Sequence, residues 1–215
     1  PTGGVLTQSD LNAIADIARD KDIWILSDEI YGKILYEGKH HSISSLPGML
    51  ARTVILDGFS KTYAMTGWRL GYGIMHPDLQ AQISTLITNS VSCTAPFVQR
   101  AGLVALADTK EEVRQMVEEF RKRRDFVWKR LNAIPGIHCV CPPGAFYAFP
   151  NIRSFGMNSA DFADYLLDTA GVAVLSGASF GNYGEGFIRI SYANSMENLA
   201  NALDRIEEAT RRISR

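Results

Sequence analysis

The chain of 215 residues carries 22 Lys and Arg against 23 Asp and Glu side chains, for a formal net charge of −1, and 46% of its residues are hydrophobic. This composition is typical of a globular protein with one large domain or two small ones. Its balanced charge argues against a nucleic-acid binder and against a polybasic membrane-surface protein. No apolar stretch approaches the roughly 20 residues of a membrane-spanning helix. Three cysteines are too few for a disulfide framework, which indicates a reducing cytoplasm.

The first part of the chain alternates amphipathic and apolar segments, which is the pattern of α/β units. A first helix is expected after Thr7, because Thr7 and Asp10 have the spacing of a capping box and apolar residues follow at helical intervals. Apolar runs then predict short buried strands over 24–31, 53–56 and 70–75.

Polar residues stand where the first two predicted strands end. Asp28 and Tyr31 close the first strand, and Ser60 and Lys61 follow the second. In open α/β sheets, ligands bind beyond the carboxyl ends of the strands. The sequence therefore predicts a ligand site at these four residues.

The second part of the chain has the mixed pattern of an α+β domain. A long helix over 109–133, with Thr109 and Glu112 as its expected cap, ends before Pro135 and Gly136. The remaining predicted elements are helices over 78–90, 97–107, 159–170 and 195–213 and strands over 137–141, 145–149, 172–175 and 187–192.

Three segments contain the residues on which a function can be argued: SDEIY at 27–31, SKTYAMTGWRLGY at 60–72 and FIRISYANS at 187–195. Taken singly, a strand-end Asp is typical of a cap, and a Lys or Arg of a solvated surface. Taken together, with 33 residues from Asp28 to Lys61 and eight from Lys61 to Arg69, they resemble the class I/II aminotransferases. These are fold-type I pyridoxal-phosphate enzymes, and PTGGVLT at the amino terminus is similar to the end of their Asn-Pro-x-Gly motif.

The resemblance implies pyridoxal 5′-phosphate as cofactor and gives each residue a role. Lys61 is implied as the amine that forms a Schiff base with the cofactor aldehyde and then acts as general base. Asp28 is implied to pair with the pyridine nitrogen, and Tyr31 to reach the ring oxygen. Arg69 is implied to hold the phosphate, and Arg189 the substrate α-carboxylate.

Two departures from the family pattern affect these expectations. Many members have Ser three residues before the lysine, whereas this chain has Gly58, so Ser60 becomes the second candidate for the phosphate. The chain also opens at Pro1, inside a family motif. We therefore expect a carboxyl-terminal portion of such an enzyme, without the amino-terminal half of the site and with cofactor bound weakly or not at all.

The resemblance implies an α/β fold with two domains. Residues 1–105 are expected to form part of the large cofactor-binding domain, with a mostly parallel sheet and helices, and residues 106–215 an α+β small domain. The implied activity is transfer of an amino group from an L-amino acid to a 2-oxo acid by a homodimer, with no nucleic acid, membrane or metal as partner. Two alternatives stay open: a cofactor-binding sensor domain of an aminotransferase-like transcription regulator, and a pyridoxal-phosphate-dependent β-lyase.

Another motif suggests hydrolase chemistry. GASFG at 177–181 matches the G-x-S-x-G nucleophile elbow, with Ser179 as the nucleophile. The segment runs into further glycines instead of a helix, and no histidine follows His138. We interpret it as a glycine-rich turn.

Two further patterns are given structural interpretations. Cys139 and Cys141 lack the second pair of ligands that a zinc site needs, and we expect them on one face of a strand. The basic run at 121–124 lies among acidic neighbours, which predicts a solvated helix face.

Overall fold

The computed structural model describes residues 1–213, which fall into two compact units. The amino-terminal unit is Val5–Gln115, and the carboxyl-terminal unit is Met116–Arg215 together with Pro1–Gly4. The helices of the whole chain are α1 Gln8–Asp20, α2 Pro77–Ser90, α3 Pro96–Asp108, α4 Lys110–Ala133, α5 Ser159–Ala170 and α6 Met196–Ile213. The strands of the whole chain are β1 Ile25–Asp28, β2 Thr53–Gly58, β3 Gly71–Ile74, β4 Tyr147–Ala148, β5 Leu175–Ser176 and β6 Ile188–Ser191.

The amino-terminal unit is built on a three-stranded sheet in the order β1-β2-β3. Strands β1 and β2 are parallel, with Asp28 opposite Leu56, whereas β3 runs antiparallel to β2, with Gly71 opposite Gly58. This unit thus combines helices with a partial sheet, which confirms the predicted α/β class.

Helix α1 begins where the sequence predicts. The Thr7 hydroxyl oxygen accepts from the Asp10 N–H at 3.2 Å, and the Asp10 carboxylate accepts from the Thr7 N–H at 2.7 Å, so the capping box is confirmed. One face of the helix packs into a small core. That core contains Leu11, Ala15, Ala18, Ile43 and Met49.

The carboxyl-terminal unit contains a second sheet, in the order β4-β6-β5, with both pairs antiparallel. Helix α5 has the predicted bounds because both ends are fixed locally. The Asn158 side chain accepts from two N–H groups of the first turn, and Gly171 takes a left-handed conformation, with φ +63°, after the last turn.

The strand predicted over 137–141 is wrong: the structure has only a single bridge between His138 and Asn151 there. The Asn132 side chain explains the difference, because it accepts from the Cys139 N–H at 3.0 Å and donates to the Cys139 carbonyl at 2.9 Å. A side chain from α4 therefore satisfies the backbone groups that a neighbouring strand would have paired.

The strand predicted over 172–175 is also mostly absent, since β5 covers only Leu175–Ser176. The Val172 N–H donates to the Leu166 carbonyl at 3.2 Å and so serves the end of α5 instead of a sheet.

The predicted cap of α4 is not formed. The Thr109 hydroxyl donates to the carbonyl of Ala105 at 2.7 Å, in the preceding helix, rather than accepting at the start of α4.

The basic run at 121–124 is only partly a solvated face. Arg121, Lys122 and Arg123 form ion pairs with glutamates of the same helix, as expected. Arg124 is buried, pairs with Asp125 at 2.7 Å and donates toward the Pro142 carbonyl at 3.5 Å. Helical periodicity turns this one side chain inward while its neighbours stay partly or fully exposed.

Within residues 1–213, none of the helices combines the length and the apolar character needed to cross a membrane.

Candidate functional site

The ends of β1 and β2 carry the residues that the sequence singled out. Asp28 is the last residue of β1, is exposed, and lies opposite Leu56 of β2. Lys61 lies in the turn that begins directly after Gly58, the last residue of β2. Because β1 and β2 are parallel neighbours, their carboxyl ends meet at one edge of the sheet.

The side chains of Lys61 and Tyr31 come together at this edge. The Lys61 Nζ lies 6.0 Å from the centroid of the Tyr31 ring, and both residues are half-buried. Ser60 is half-buried in the same turn. The turn is closed by backbone hydrogen bonds, in which the Tyr63 and Met65 N–H groups both donate to the Phe59 carbonyl at 3.3 Å. The Lys61 amine is thus carried by a hydrogen-bonded turn and lies beside the Tyr31 ring.

Gly58 leaves no room for the serine that many relatives of the resembled family have there. A Cβ at this position would lie 2.9 Å from the Gly71 Cα and 3.0 Å from the Leu70 carbonyl oxygen. Strands β2 and β3 approach so closely that any side chain would require the backbone to shift. A hydroxyl at this place is therefore excluded by packing, and Ser60 is the hydroxyl that the turn offers instead.

Arg69 is held in an unfavourable backbone conformation with its guanidinium exposed. Its φ of +53° and ψ of +48° are left-handed, which costs about 1–2 kcal/mol for a residue with a Cβ. Its Nη1 donates to the Thr66 carbonyl at 2.9 Å, and no carboxylate among residues 1–213 pairs with it. A strained, exposed guanidinium without a carboxylate partner suits an anionic ligand.

Arg189 lies on β6, in the carboxyl-terminal unit, close to two aromatic rings. Its Cζ is 4.3 Å from the ring centroid of Tyr147 and 4.6 Å from that of Phe180. In the described part of the chain, no carboxylate forms an ion pair with it. An aromatic ring is a cation–π partner and does not replace the oxygen acceptors that the guanidinium N–H groups can bind. These N–H groups match a carboxylate in a bidentate arrangement.

Sequence reasoning missed Tyr147 and Phe180. Tyr147 was placed in a predicted strand and Phe180 in the glycine-rich segment, where neither has a periodic pattern that would indicate a role. The glycines of this segment were the sequence signal that could have indicated a tight loop around Phe180. A Cβ on Gly177 would lie 2.1 Å from the Gly184 carbonyl oxygen, so this tight loop, which carries Phe180, needs glycine at that position. The segment containing Ser179 is a 3-10 turn and does not open a helix, unlike a nucleophile elbow.

Asp57 and Tyr72 form a further polar pair that the sequence did not indicate. The Tyr72 hydroxyl donates to the Asp57 Oδ2 at 2.9 Å, and the Gly58 N–H donates to the Asp57 Oδ1 at 2.7 Å. Desolvation, and then the hydrogen bond and negative charge of Asp57, raise the pKa of Tyr72 to about 12. The pair ties β3 to the end of β2.

Known proteins resemble the chain over nearly its whole length. The sequence profile of the family described as "Aminotransferase class I and II" matches residues 1–206. Aromatic-amino-acid aminotransferase 2 of Thermococcus litoralis is 44% identical over 97% of this chain and 54% of its own length. Aspartate aminotransferase of Pyrococcus abyssi is also 44% identical, over 98% of this chain and 55% of its own length.

The fold agrees with these sequence matches. The crystal structure of an aromatic aminotransferase from Pyrococcus horikoshii superposes with a TM-score of 0.95 at 43% identity, covering 99% of this chain and 57% of that one. The chain spans about half the length of the curated relatives that it matches. By sequence and by fold, the chain belongs to the class I and II aminotransferases.

Proposed function

We propose that this chain carries the lysine-bearing part of a pyridoxal-phosphate-dependent aminotransferase, which transfers an amino group from an L-amino acid to a 2-oxo acid. The observation that carries the proposal is the meeting of the Lys61 amine and the Tyr31 phenol where β1 ends in the Asp28 carboxylate. Membership of the aminotransferase family supports it independently.

The donor set of the amino-terminal unit fits this cofactor. An aldehyde needs a primary amine, a pyridine nitrogen needs a carboxylate, and a phosphate needs cationic and hydroxyl donors. In this proposal Lys61 holds the aldehyde carbon, Asp28 the ring nitrogen, and Tyr31 the ring oxygen. Arg69, whose guanidinium lacks a carboxylate partner in the described chain, and Ser60 hold the phosphate.

When bound, pyridoxal phosphate supplies an electron-withdrawing ring that makes the proton on the substrate Cα acidic. Asp28 keeps a proton on the pyridine nitrogen, because a carboxylate beside that nitrogen favours its protonated form. Lys61 acts as the base that removes the proton from the substrate Cα. Tyr31, beside the Lys61 amine, donates a hydrogen bond to the ring oxygen.

Arg189 binds the substrate carboxylate in this proposal. Its guanidinium interacts with Tyr147 and Phe180 and has no carboxylate partner among residues 1–213, which supports a role in binding an anion. Bidentate binding at the α-carboxylate fixes the direction of the Cα–H bond and so prepares it for removal.

We further propose that the protein acts as a homodimer in the cytoplasm. Helix α2 buries none of its residues within the chain, and Leu86 and Ile87 on it are exposed, which supports a covering partner surface. The cysteines are all free thiols, in agreement with a reducing compartment.

The experiment is to add excess pyridoxal phosphate to the chain, reduce with borohydride, and map the modified peptide by mass spectrometry. We expect modification at Lys61, its loss in Lys61→Arg, and its retention in the control Lys33→Arg. Lys33 is an exposed lysine of the same unit, whose Nζ bonds the Tyr63 hydroxyl at 3.1 Å.

The same sample is then assayed with an L-amino acid and a 2-oxo acid. Formation of the new amino acid supports aminotransfer. Labelling of Lys61 without any turnover would favour the sensor alternative, and release of ammonia would favour a β-lyase. Labelling at a different lysine contradicts the proposed site.

A further inference from the structure

The turn that carries Asp28 and Tyr31 is fixed through Glu29, one of the two residues between them. The Glu29 N–H donates to the Leu56 carbonyl at 2.8 Å, which extends the pairing of β1 with β2 by one residue. The Glu29 carbonyl accepts from the Gly32 N–H at 2.7 Å and closes the turn. The backbone of Glu29 therefore sets where the strand ends and the turn begins.

The Glu29 side chain is bound by three polar side chains of the same unit. Its Oε1 accepts from the Ser27 hydroxyl at 3.1 Å and from the Ser42 hydroxyl at 2.6 Å, and its Oε2 lies 2.7 Å from the His40 Nε2. The side chain is only 12% exposed, although Asp28 next to it is exposed. A carboxylate so far removed from water is stable only because these three groups solvate it.

The partners of Glu29 belong to a rigid part of the unit. Ser42 caps a 3-10 turn over Ile43–Ser45, and its hydroxyl accepts from the Ser44 hydroxyl at 2.8 Å, which leaves its own proton for Glu29. Ile43 follows directly and is buried in the core that α1 covers. The chain of contacts thus runs from the turn, through Glu29, to the hydrophobic core.

His40 also contacts the turn itself. A Cβ on Gly32 would lie 3.2 Å from the His40 Cδ2 and 3.0 Å from the Glu29 carbonyl oxygen, so the ring packs against backbone that has no side chain. His40 therefore contacts the turn at two points, the Glu29 carboxylate and the face of Gly32.

We propose that Glu29 is the positioning residue of this site: with His40 and Ser42 it holds the turn so that the Asp28 carboxylate and the Tyr31 phenol keep fixed directions. Glu29 itself touches neither substrate nor cofactor in this account. The inference rests on the proposed function only for the identity of the ligand that Asp28 and Tyr31 meet.

The first test is amide hydrogen exchange of the full chain, read on the peptide over 28–34 and normalised to the peptide of α1. Glu29→Ala removes all three side-chain hydrogen bonds, and we expect exchange about 10- to 100-fold faster over 28–34, with α1 unchanged. The matched control is Asp16→Ala. Asp16 is also ion-paired, with Arg19 at 2.8 Å, but its side chain is 75% exposed, and we expect no change at 28–34.

Two further variants separate the hydrogen bonds from general packing. Glu29→Gln keeps an acceptor for the serines and a donor for His40, so we expect it to restore most of the protection. His40→Ala is a milder change at a more exposed side chain, and it keeps the test decisive if Glu29→Ala does not fold. We expect it to raise exchange over 28–34, and His40→Gln, which presents an amide nitrogen at the same reach, to restore protection.

The second readout is the concentration of pyridoxal phosphate that gives half-maximal borohydride trapping at Lys61. We expect this concentration to rise about tenfold in Glu29→Ala, because the turn no longer holds Asp28 and Tyr31 in fixed directions, and to stay unchanged in Asp16→Ala. If wild type is labelled at a different lysine instead of Lys61, the proposed function fails while the exchange data still decide the role of Glu29. If exchange over 28–34 is the same in wild type, Glu29→Ala and His40→Ala, the positioning role is overturned whatever the cofactor result.

Discussion

The two compact units differ in how much apolar surface each buries by itself. Among residues 1–213, ten of the twelve largest fully buried side chains belong to the carboxyl-terminal unit, and only Ile34 and Met49 to the amino-terminal one. In the amino-terminal unit, all of β3 is exposed and α2 buries no residue. The amino-terminal unit, which carries Lys61, thus has fewer large, fully buried side chains in its core than the carboxyl-terminal unit.

The two arginines that we propose as anion-binding residues differ in the same way in the contacts that support them. Arg189 lies on a central strand, close to two aromatic rings. Arg69 is exposed, takes a left-handed conformation, and has one backbone carbonyl as its hydrogen-bond partner among the described residues. Large exposed apolar surfaces mark contact surfaces. We therefore expect the stability of the amino-terminal unit to depend more on a covering partner surface than the stability of the carboxyl-terminal unit does.

The largest expected effect is on stability, and it tests the comparison directly. Leu166 on α5 is fully buried, so Leu166→Ala should lower the free energy of unfolding by about 2–5 kcal/mol. The matched change Leu26→Ala on β1 removes a side chain that is 68% exposed and should cost within about 0.5 kcal/mol. Urea unfolding followed by circular dichroism measures both. Equal losses would show that the units do not differ in this way.

The next largest effect is expected on the rate of cysteine modification, because the cysteines of the two units differ in exposure. Cys139 in the carboxyl-terminal unit is buried, and desolvation raises its thiol pKa to about 11, whereas Cys93 is exposed. At pH 8, iodoacetamide should modify Cys93 more than about 100-fold faster than Cys139, because the thiolate is the reactive form.

Mass spectrometry of the two cysteine peptides over time measures this ratio. Urea at an unfolding concentration is the control, and it should bring the two rates together. Comparable rates in the folded chain would mean that the carboxyl-terminal core is open to reagent.

A smaller effect is expected at the aromatic support of Arg189. Phe180→Ala removes one of its two rings, and cation–π contacts of this kind contribute about 0.5–2 kcal/mol. Under the proposed function, KM for the 2-oxo acid should therefore rise about 2- to 30-fold with kcat little changed. The control is Phe97→Ala on α3, whose side chain is 70% exposed. An unchanged KM in Phe180→Ala would show that the Phe180 ring has no role in substrate binding.

The smallest expected effect concerns Tyr72 and Asp57. The phenol has a raised pKa when folded, so its contribution to stability is present below about pH 10 and is lost as the pH rises toward about 12. Asp57→Asn removes the negative charge and should move the tyrosine pKa back toward about 10. Absorbance at 295 nm during a pH titration follows this ionisation. A late-titrating tyrosine that persists in Asp57→Asn would point to desolvation alone.

The sequence by itself determined the local features of this protein. Thr7 with Asp10 predicted the start of α1, and α5 over 159–170 was predicted with its observed bounds. The residues at the ends of β1 and β2 were also correctly placed beyond two neighbouring strands. These features follow from caps, periodicity and strand order, which depend on residues close together in the chain.

Only the tertiary structure decided which distant residues meet. The contact of Gly58 with Gly71, the two rings on Arg189, and the binding of Glu29 by His40 have no periodic signature. The same holds where prediction failed: Asn132 of α4 pairs with the backbone at 137–141, and a strand there is lost. A backbone group or a charge takes the partner that packing brings within reach, and that partner is set by the whole fold rather than by its neighbours in sequence.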